Sequence, residues 1–179
     1  NAKALSSQDQ PLLSTYAQTI VKKGYPSRVV ITYKDKEAKW LEKDKKLQSQ
    51  YRKGRQEYQI SCGACHQLDG KGIANLAPAL AGSNWVKGGP IRSIAVALHG
   101  VTGPIKVNGK EVTEVPPIMP GHGFMKDEQI ADILTYIRNA WGNRETAITA
   151  KEVADFRAAH SPRFLPWSAE ELETLQPLK

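Results

Sequence analysis

The stretch SCGACHQLDGKG, residues 61–72, contains both cysteines of this 179-residue chain. Two residues separate Cys62 from Cys65, and His66 follows directly. A C-x-x-C pair occurs in three kinds of site: a redox dithiol, half of a zinc site, or the two thioether anchors of a covalently attached haem. Only the haem site requires a histidine immediately after the second cysteine. The motif therefore favours one covalent haem c, with thioethers at Cys62 and Cys65 and with His66 as the proximal iron ligand.

The other uses of the cysteine pair fit less well, but the motif alone leaves them open. A structural zinc ion takes four sulfur or nitrogen ligands, and the remaining histidines, at positions 99, 122 and 160, are scattered along the chain. A redox dithiol needs a βαβ context, which the Gly-, Pro- and Ala-rich sequence downstream does not supply. A structural disulfide leaves His66 without a role.

Length and composition predict one modest globular domain with extensions. The chain is 40% hydrophobic, and no apolar run approaches the roughly 18 residues that a membrane-spanning helix needs. The first residues, NAKALSSQDQ, lack the basic start and apolar stretch of a signal peptide. Because haem c is attached outside the cytoplasm, we expect a mature form, or a piece, of a periplasmic or otherwise exported protein.

The positive charge of the chain is concentrated at its N-terminal end. The formal net charge is +7, and the whole excess falls in residues 1–61, since residues 62–179 carry equal numbers of basic and acidic side chains. A basic segment raises the question of nucleic acid, but no nucleic-acid-binding motif accompanies it. Acidic residues alternate with the basic ones in KDKEAKWLEKDKK, residues 34–46, as in a solvated helix. We therefore expect no nucleic-acid partner.

Three sections are predicted. Residues 1–50 form a basic N-terminal extension or linker, residues 51–143 form the domain with the cysteine motif, and residues 144–179 form a C-terminal helical tail packed on that domain. In the first section we predict a helix at 10–23 and the charged helix at 34–46, separated by a β-branched run. In the tail, Thr149 with Glu152 and Ser168 with Glu171 form capping boxes that each open a short helix.

Two helices and a hairpin are predicted within residues 51–143. A helix through YRKGRQEYQI leads to Cys62, and a closing helix begins at Asp127 and Glu128, whose charges suit the positive end of the helix dipole. The closing helix is expected to end near Gly142 or Asn143. Asn108-Gly109 lies between short β-prone segments and predicts a two-residue hairpin. One face of the closing helix carries apolar residues at helical spacing: Ile130, Ile133, Leu134, Ile137 and Trp141.

With these features, the chain from about Gly54 to Asn143 resembles a class I cytochrome c. The resemblance implies an all-α fold, here with a small β-hairpin insertion, in which the first and last helices cross at Gly54 and pack against Tyr136. It also implies that the carbonyl of Pro78, in LAPALAGSNW, accepts a hydrogen bond from His66 and so orients the ring.

The sixth iron ligand is expected at Met119. This residue lies in PPIMPGHG, where prolines and glycines favour an extended loop, and the segment matches the MP ligand loop of the resembled family. Met125 is expected to be a core or capping residue, and His122 is the main rival ligand. His99 is expected to be hydrogen-bonded and structural, and His160 to lie at the surface.

Trp85 is the remaining candidate cofactor-binding residue. Its indole either donates to a haem propionate or fills the core, and the sequence does not separate these two roles.

The segments LHGVTGPIKVNG, IMP and WGNRETAITAKEVADFR narrow the resemblance to cytochrome subunits and domains of periplasmic oxidoreductases. These include partners of quinoprotein dehydrogenases and the cytochrome domain tethered to some copper nitrite reductases. The implied function is electron transport from a periplasmic dehydrogenase to downstream acceptors, without enzymatic activity of its own. The implied partner is a redox protein or a fused oxidoreductase domain. The alternatives are a donor domain for a reductase, or a haem enzyme or sensor with an open sixth site.

Overall fold

A computed structural model describes residues 41–74, 76–112 and 119–175. The helix predicted at 10–23 and the β-branched run that follows it lie outside these ranges. The described residues form the helices α1 (Lys45–Ser61), α2 (Gly63–His66), α3 (Pro90–His99), α4 (Asp127–Asn139), α5 (Ala150–Ala159) and α6 (Ala169–Thr174). Four short strands accompany them, namely β1 (Gly100–Val101), β2 (Ile105–Val107), β3 (Lys110–Val112) and β4 (Met119–Pro120).

The strands form two antiparallel pairs. β2 and β3 form the predicted hairpin, in which Asn108 and Gly109 have φ values of 50° and 77°, as a two-residue turn of this type requires. The pairing of β1 with β4 was not predicted from the sequence. Helices with a small hairpin confirm the predicted fold class.

Helix α1 begins earlier than predicted, and the charged helix predicted at 34–46 is wrong at its described end. Residues 41–43 form a 3₁₀ turn, and the Asp44 carboxylate then accepts a hydrogen bond from the Leu47 amide at 2.9 Å. Aspartate is a preferred N-cap residue, so α1 starts a new helix at Lys45. It runs without a break across residue 50, where the first section was predicted to end.

Helices α1 and α4 cross at Gly54. A Cβ atom at this position would collide with the backbone carbonyl of Asp132 in α4, so only glycine permits the observed approach. Tyr136 packs beside the crossing, with its ring centre 5.0 Å from that of Tyr51 and 5.2 Å from that of Tyr58. This crossing fixes the position of the C-terminal end of α1, which leads into the cysteine motif.

Helix α4 buries the predicted apolar face, including Ile130, Ile133, Leu134 and Ile137. It ends at Asn139, three residues before Gly142. Trp141 has a φ of 52°, outside the helical range, and its ring packs 5.2 Å from that of Tyr58. The prediction that Trp141 continues the helical face is therefore wrong, although the residue does pack beside α1.

The tail forms two helices with the predicted capping boxes. The Thr149 hydroxyl accepts from the Glu152 amide and the Ser168 hydroxyl from the Glu171 amide, both at 3.2 Å. Five tail side chains belong to the buried core: Ile148, Val153, Phe156, Trp167 and Leu172.

Candidate functional site

The cysteine motif occupies a single helical turn at the end of α1. The amide of Cys62 still donates to the Tyr58 carbonyl of α1, at 2.9 Å. In α2, the amides of Cys65 and His66 both donate to the Cys62 carbonyl, at 3.2 and 3.0 Å. The two thiols are not bonded to each other, and Cys65 is exposed while Cys62 is half-buried. Burial raises the pKa of the Cys62 thiol to about 12, and nearby Cys65 adds to the shift.

The imidazole of His66 is buried and held through one nitrogen. Its Nδ1 lies 3.0 Å from the Pro78 carbonyl oxygen, the contact that the resemblance implied. Burial lowers the pKa of His66, and His122 lowers it further, whereas the hydrogen bond to Pro78 opposes the shift. A neutral ring that donates from Nδ1 keeps its Nε2 lone pair free, which is the form in which histidine binds a metal.

The loop that carries Pro78 is held close to the cysteine motif. The Gly72 amide donates to the His66 carbonyl at 3.0 Å. Gly72 has a φ of 71°, and a Cβ there would lie 2.7 Å from the Pro78 carbonyl oxygen. Leu80 and Ala81 both donate their amides to the Gly70 carbonyl, at 2.7 and 3.0 Å. These contacts set the Pro78 carbonyl against the His66 ring.

Met119 lies in β4, where Val101 of β1 is its antiparallel partner. Its side chain is half-buried. Gly100 in β1 has a φ of 81°, and a Cβ on it would collide with the Met119 carbonyl. Residue 100 must therefore be glycine for β4 to lie as close to β1 as it does.

A cavity of about 410 Å³ brings these elements together. Cys62, Cys65, His66 and Met119 all contribute to its wall, although they come from two distant parts of the chain. Most of the remaining wall is apolar, and α3, α4 and the first two strands contribute many of its larger aliphatic side chains, among them Val96, Val101, Ile105, Val107, Ile130 and Leu134. An apolar chamber with two thiols, one buried imidazole and one thioether on its wall fits a thioether-linked porphyrin and its iron.

Arg92 is a cavity residue that the sequence analysis missed. It lies in the first turn of α3, and its guanidinium carbon is 5.4 Å from the ring centre of Trp85, which also lines the cavity. Because a cation is unfavourable near the positive end of a helix dipole, an arginine at that place in an apolar helix was a usable signal. A guanidinium on this wall suits the carboxylates of a porphyrin.

Trp85 uses its indole N–H within the protein. The group donates to the Lys106 carbonyl of β2 at 2.8 Å, which ties the loop before α3 to the hairpin. A reciprocal pair strengthens the link: the Asn84 amide donates to the Asn108 side chain at 2.9 Å, and the Asn108 amide to that of Asn84 at 2.8 Å. Trp85 is therefore a half-buried residue of the cavity wall, and its indole N–H is already hydrogen-bonded within the protein.

The other candidate ligands lie in different surroundings. Met125 is buried in the core, and His99 accepts from the Trp167 indole through Nδ1 at 3.3 Å, as a structural histidine does. His122 lines the cavity. His160 is half-buried, with its ring stacked on Phe156 at a distance of 4.0 Å between centres.

Comparisons with known proteins agree with this geometry. The family model for cytochrome c matches residues 51–141, about half of the chain. The chain belongs to the cytochrome c family. Covalently bound haem c and electron transfer are the properties of this family, and the cytochrome c domain contains the whole cavity described above.

Named relatives include both a separate cytochrome and subunits of larger enzymes. Cytochrome c-552 of Thermus thermophilus is 35% identical over 122 residues, 66% of this chain and 80% of that protein. The gluconate 2-dehydrogenase cytochrome c subunit of Pantoea cypripedii is 34% identical over 160 residues, 86% of this chain. The quinone alcohol dehydrogenase cytochrome c subunit of Gluconacetobacter polyoxogenes is 33% identical over 112 residues, 61% of this chain and 23% of that subunit.

This chain spans 34% of the length of the gluconate 2-dehydrogenase subunit. The 160 matched residues exceed the range of the family model, so the likeness includes sequence outside the cytochrome c domain. Among the described residues, no helix combines the length and the apolar character needed to cross a membrane.

Proposed function

We propose that this protein is an electron-transfer cytochrome that carries one haem c on Cys62 and Cys65, with His66 and Met119 as the axial ligands. The observation that supports this assignment is the common cavity, on whose wall the two thiols, the His66 ring and the Met119 thioether are all found. Residues 51–143 form the cytochrome domain in this proposal, residues 1–50 an extension or linker, and residues 144–179 a tail.

Each site residue has a separate task in this proposal. Bound haem c supplies an iron centre that changes oxidation state by one electron. Cys62 and Cys65 fix the porphyrin covalently, and the Pro78 carbonyl holds the His66 ring in the orientation and tautomer needed for coordination. The aliphatic wall excludes water, and Met119, as a second iron ligand besides His66, would raise the reduction potential. If His66 and Met119 both hold the iron of haem c, they would leave no coordination position for a substrate, and the group would supply electron transfer only.

Covalent attachment is directly testable. The intact mass of the protein from a host that matures cytochromes c should exceed the 19.8 kDa of the chain by one haem. Haem colour should stay with the polypeptide through denaturing electrophoresis. Replacing both Cys62 and Cys65 with alanine should abolish both results, because no thioether can then form. A wild-type mass equal to that of the bare chain would contradict the proposal.

The proposed electron donor is a periplasmic dehydrogenase, and downstream redox proteins are the acceptors. Support comes from the relatives named as cytochrome subunits of gluconate and alcohol dehydrogenases. The proposed location is accordingly the periplasm or another exported compartment. The second candidate, a donor domain for a periplasmic reductase, would use the same haem site. It is favoured only by the resemblance of the sequence to such domains.

The distribution of charge along the chain is relevant to how the cytochrome associates with its redox partner. The net charge of +7 belongs to residues 1–61, and the rest of the chain is neutral. A cytochrome whose chain is neutral from residue 62 onward suits a module that is held near its donor by a covalent or stable link, since a link raises the effective concentration without electrostatic steering. The basic segment suits the other possibility, in which it binds an acidic redox partner.

Ionic strength separates these two arrangements. Exposed charges are screened beyond about 8 Å at physiological ionic strength, so electron transfer to the partner should slow with added salt if the basic segment binds it. Charge-neutralised variants provide the matched comparison. The test variant changes three exposed lysines of α1 to glutamine: Lys45, Lys46 and Lys53. The control variant changes three exposed lysines elsewhere: Lys87, Lys110 and Lys151.

We expect nearly flat salt dependence for the wild type and for both variants, in keeping with a linked module. A strong salt dependence that is lost in the α1 variant alone would instead assign partner binding to the basic segment. Failure of the reduced protein to pass electrons to any acceptor cytochrome or oxidase, at every ionic strength, would contradict the carrier function itself.

A further inference from the structure

Strand β1 has a partner on each side. On one side it pairs with β4, where Val101 is opposite Met119. On the other side it forms a parallel bridge with Trp167 of the tail. The Trp167 amide donates to the Gly100 carbonyl at 3.1 Å, and the Thr102 amide donates to the Trp167 carbonyl at 2.8 Å. A residue of the tail thus extends the small sheet whose other edge carries the proposed iron ligand.

The Trp167 side chain is anchored on several sides. It is 5% exposed, and its indole N–H donates to His99 Nδ1 at 3.3 Å. The guanidinium carbon of Arg163 lies 3.5 Å from the ring centre, a cation–π distance. His99 directly precedes β1, so the indole contact and the backbone bridge hold the same short segment. This anchoring fixes the position of β1 relative to the tail.

A second tail residue holds the segment that follows β4. Arg157 of α5 donates to the Gly123 carbonyl at 2.6 Å and to the Met125 carbonyl at 2.9 Å. Its Nε donates to the Asp127 carboxylate at 2.8 Å, and the two side chains are only about one-third exposed. One guanidinium therefore connects the loop after Met119 to the first turn of α4.

We propose that Trp167 and Arg157 are positioning residues that keep Met119 at the iron. Trp167 supports β4 through β1, and Arg157 fixes the chain four to eight residues after Met119. Both residues lie outside the range 51–141 matched by the cytochrome c family model, so the tail supplies a function that the domain itself lacks. This inference rests on the proposed ligation by Met119.

The experiment compares Trp167→Leu and Arg157→Met in the full-length ferric and ferrous protein. Each variant should lower the ratio of Met-bound to Met-free iron about tenfold or more, the usual consequence of losing hydrogen bonds to partly buried groups. The ratio is followed by the far-red absorption of the sulfur-to-ferric-iron bond as the pH or temperature rises, and by the rate of carbon monoxide binding to the ferrous form. Arg157→Lys keeps the charge but loses the fork of donors, so it should restore the ratio only in part.

Leu172→Ala is the matched control. Leu172 is buried in α6 and lines a cleft with Ile91 at the start of α3, so its truncation weakens the tail and leaves in place the hydrogen bonds of Trp167 to β1 and of Arg157 to residues 123–127. The loss of global stability of each variant is measured by thermal unfolding. The changes in iron ligation are then compared between variants at equal losses of stability. If Leu172→Ala changes the iron ligation as much as the two test variants do, the effect is general destabilisation and the inference is overturned.

Met119→Ala tests the proposed ligation by Met119 independently of the positioning role of Trp167 and Arg157. If Met119→Ala retains the far-red absorption, the ligand assignment fails. If it loses the absorption while Trp167→Leu and Arg157→Met behave as Leu172→Ala does, the ligation stands and the positioning role is overturned.

Discussion

Replacing Met119 with alanine is expected to abolish the far-red absorption of the ferric protein, lower its reduction potential and admit carbon monoxide to the ferrous iron. A thioether favours the reduced iron, and water or an empty position does not. We expect a fall on the order of 0.1 V or more, within the roughly 0.8 V over which axial ligands set haem potentials. The measurements are visible spectra with and without carbon monoxide, and a redox titration.

Met125→Ala is the natural control, because Met125 is the other methionine of the chain. It is buried in the core, so its truncation should cost on the order of 1 to 3 kcal/mol of unfolding free energy and leave the spectrum unchanged. Spectral loss in Met125→Ala rather than in Met119→Ala would contradict the ligand assignment. Loss of the far-red absorption in His122→Ala alone would instead assign His122 as the sixth ligand. Rapid carbon monoxide binding by the unmodified protein would favour the open-site alternative, a haem enzyme or sensor.

The features that were predictable from the sequence depend on local patterns. The order of Cys62, Cys65 and His66 within one helical turn follows from their spacing, because three residues of a helix fix the relative positions of their side chains. The Asn108-Gly109 turn and the capping boxes are equally local, since each satisfies backbone groups of its own segment. The buried face of α4 followed from helical periodicity.

The features that were missed depend on contacts between distant segments. Arg138 lies in α4 and is fully buried, although it is a charged residue. Its guanidinium donates to the carbonyls of Val86 and Gly88, both at 2.8 Å, and its Nε to that of Thr146 at 3.0 Å. No local pattern reveals that carbonyl groups 50 residues away will satisfy a buried charge.

The same limitation explains the missed role of the tail. Thr149 and Ser168 indicate where α5 and α6 start, but a capping box does not indicate what a helix packs against. The bridge between Trp167 and β1 joins residues 66 positions apart. Gly100 permits the close approach of β1 to β4, but nothing in the sequence distinguishes it from the other glycines of a chain that contains 14.

Replacing Gly54 with alanine is expected to destabilise the protein, although the same change in an isolated helix is favourable. Alanine is about 1 kcal/mol better than glycine inside a helix. At this position, however, the new Cβ would collide with the Asp132 carbonyl of α4. Because the obstacle is backbone, the two helices must move apart, and overpacking of this kind costs about 1 to 3 kcal/mol or more. We expect a net loss of about 2 kcal/mol in chemical denaturation.

Ser49→Ala tests the opposite sign on the same helix. Ser49 is exposed on α1, so alanine there should gain a few tenths of a kcal/mol, roughly, from helix propensity alone. Equal effects of the two substitutions would mean that the helix crossing is not tight at Gly54.

Because α1 ends at Ser61, directly before Cys62, and α4 contributes Ile130 and Leu134 to the cavity wall, separating the helices moves two walls of the cavity at once. Gly54→Ala should therefore also lower the yield of covalently bound haem, measured by absorbance per mole of protein, whereas Ser49→Ala should leave it unchanged. A stable Gly54→Ala protein with full haem content would show that α1 can shift along α4 without displacing Cys62.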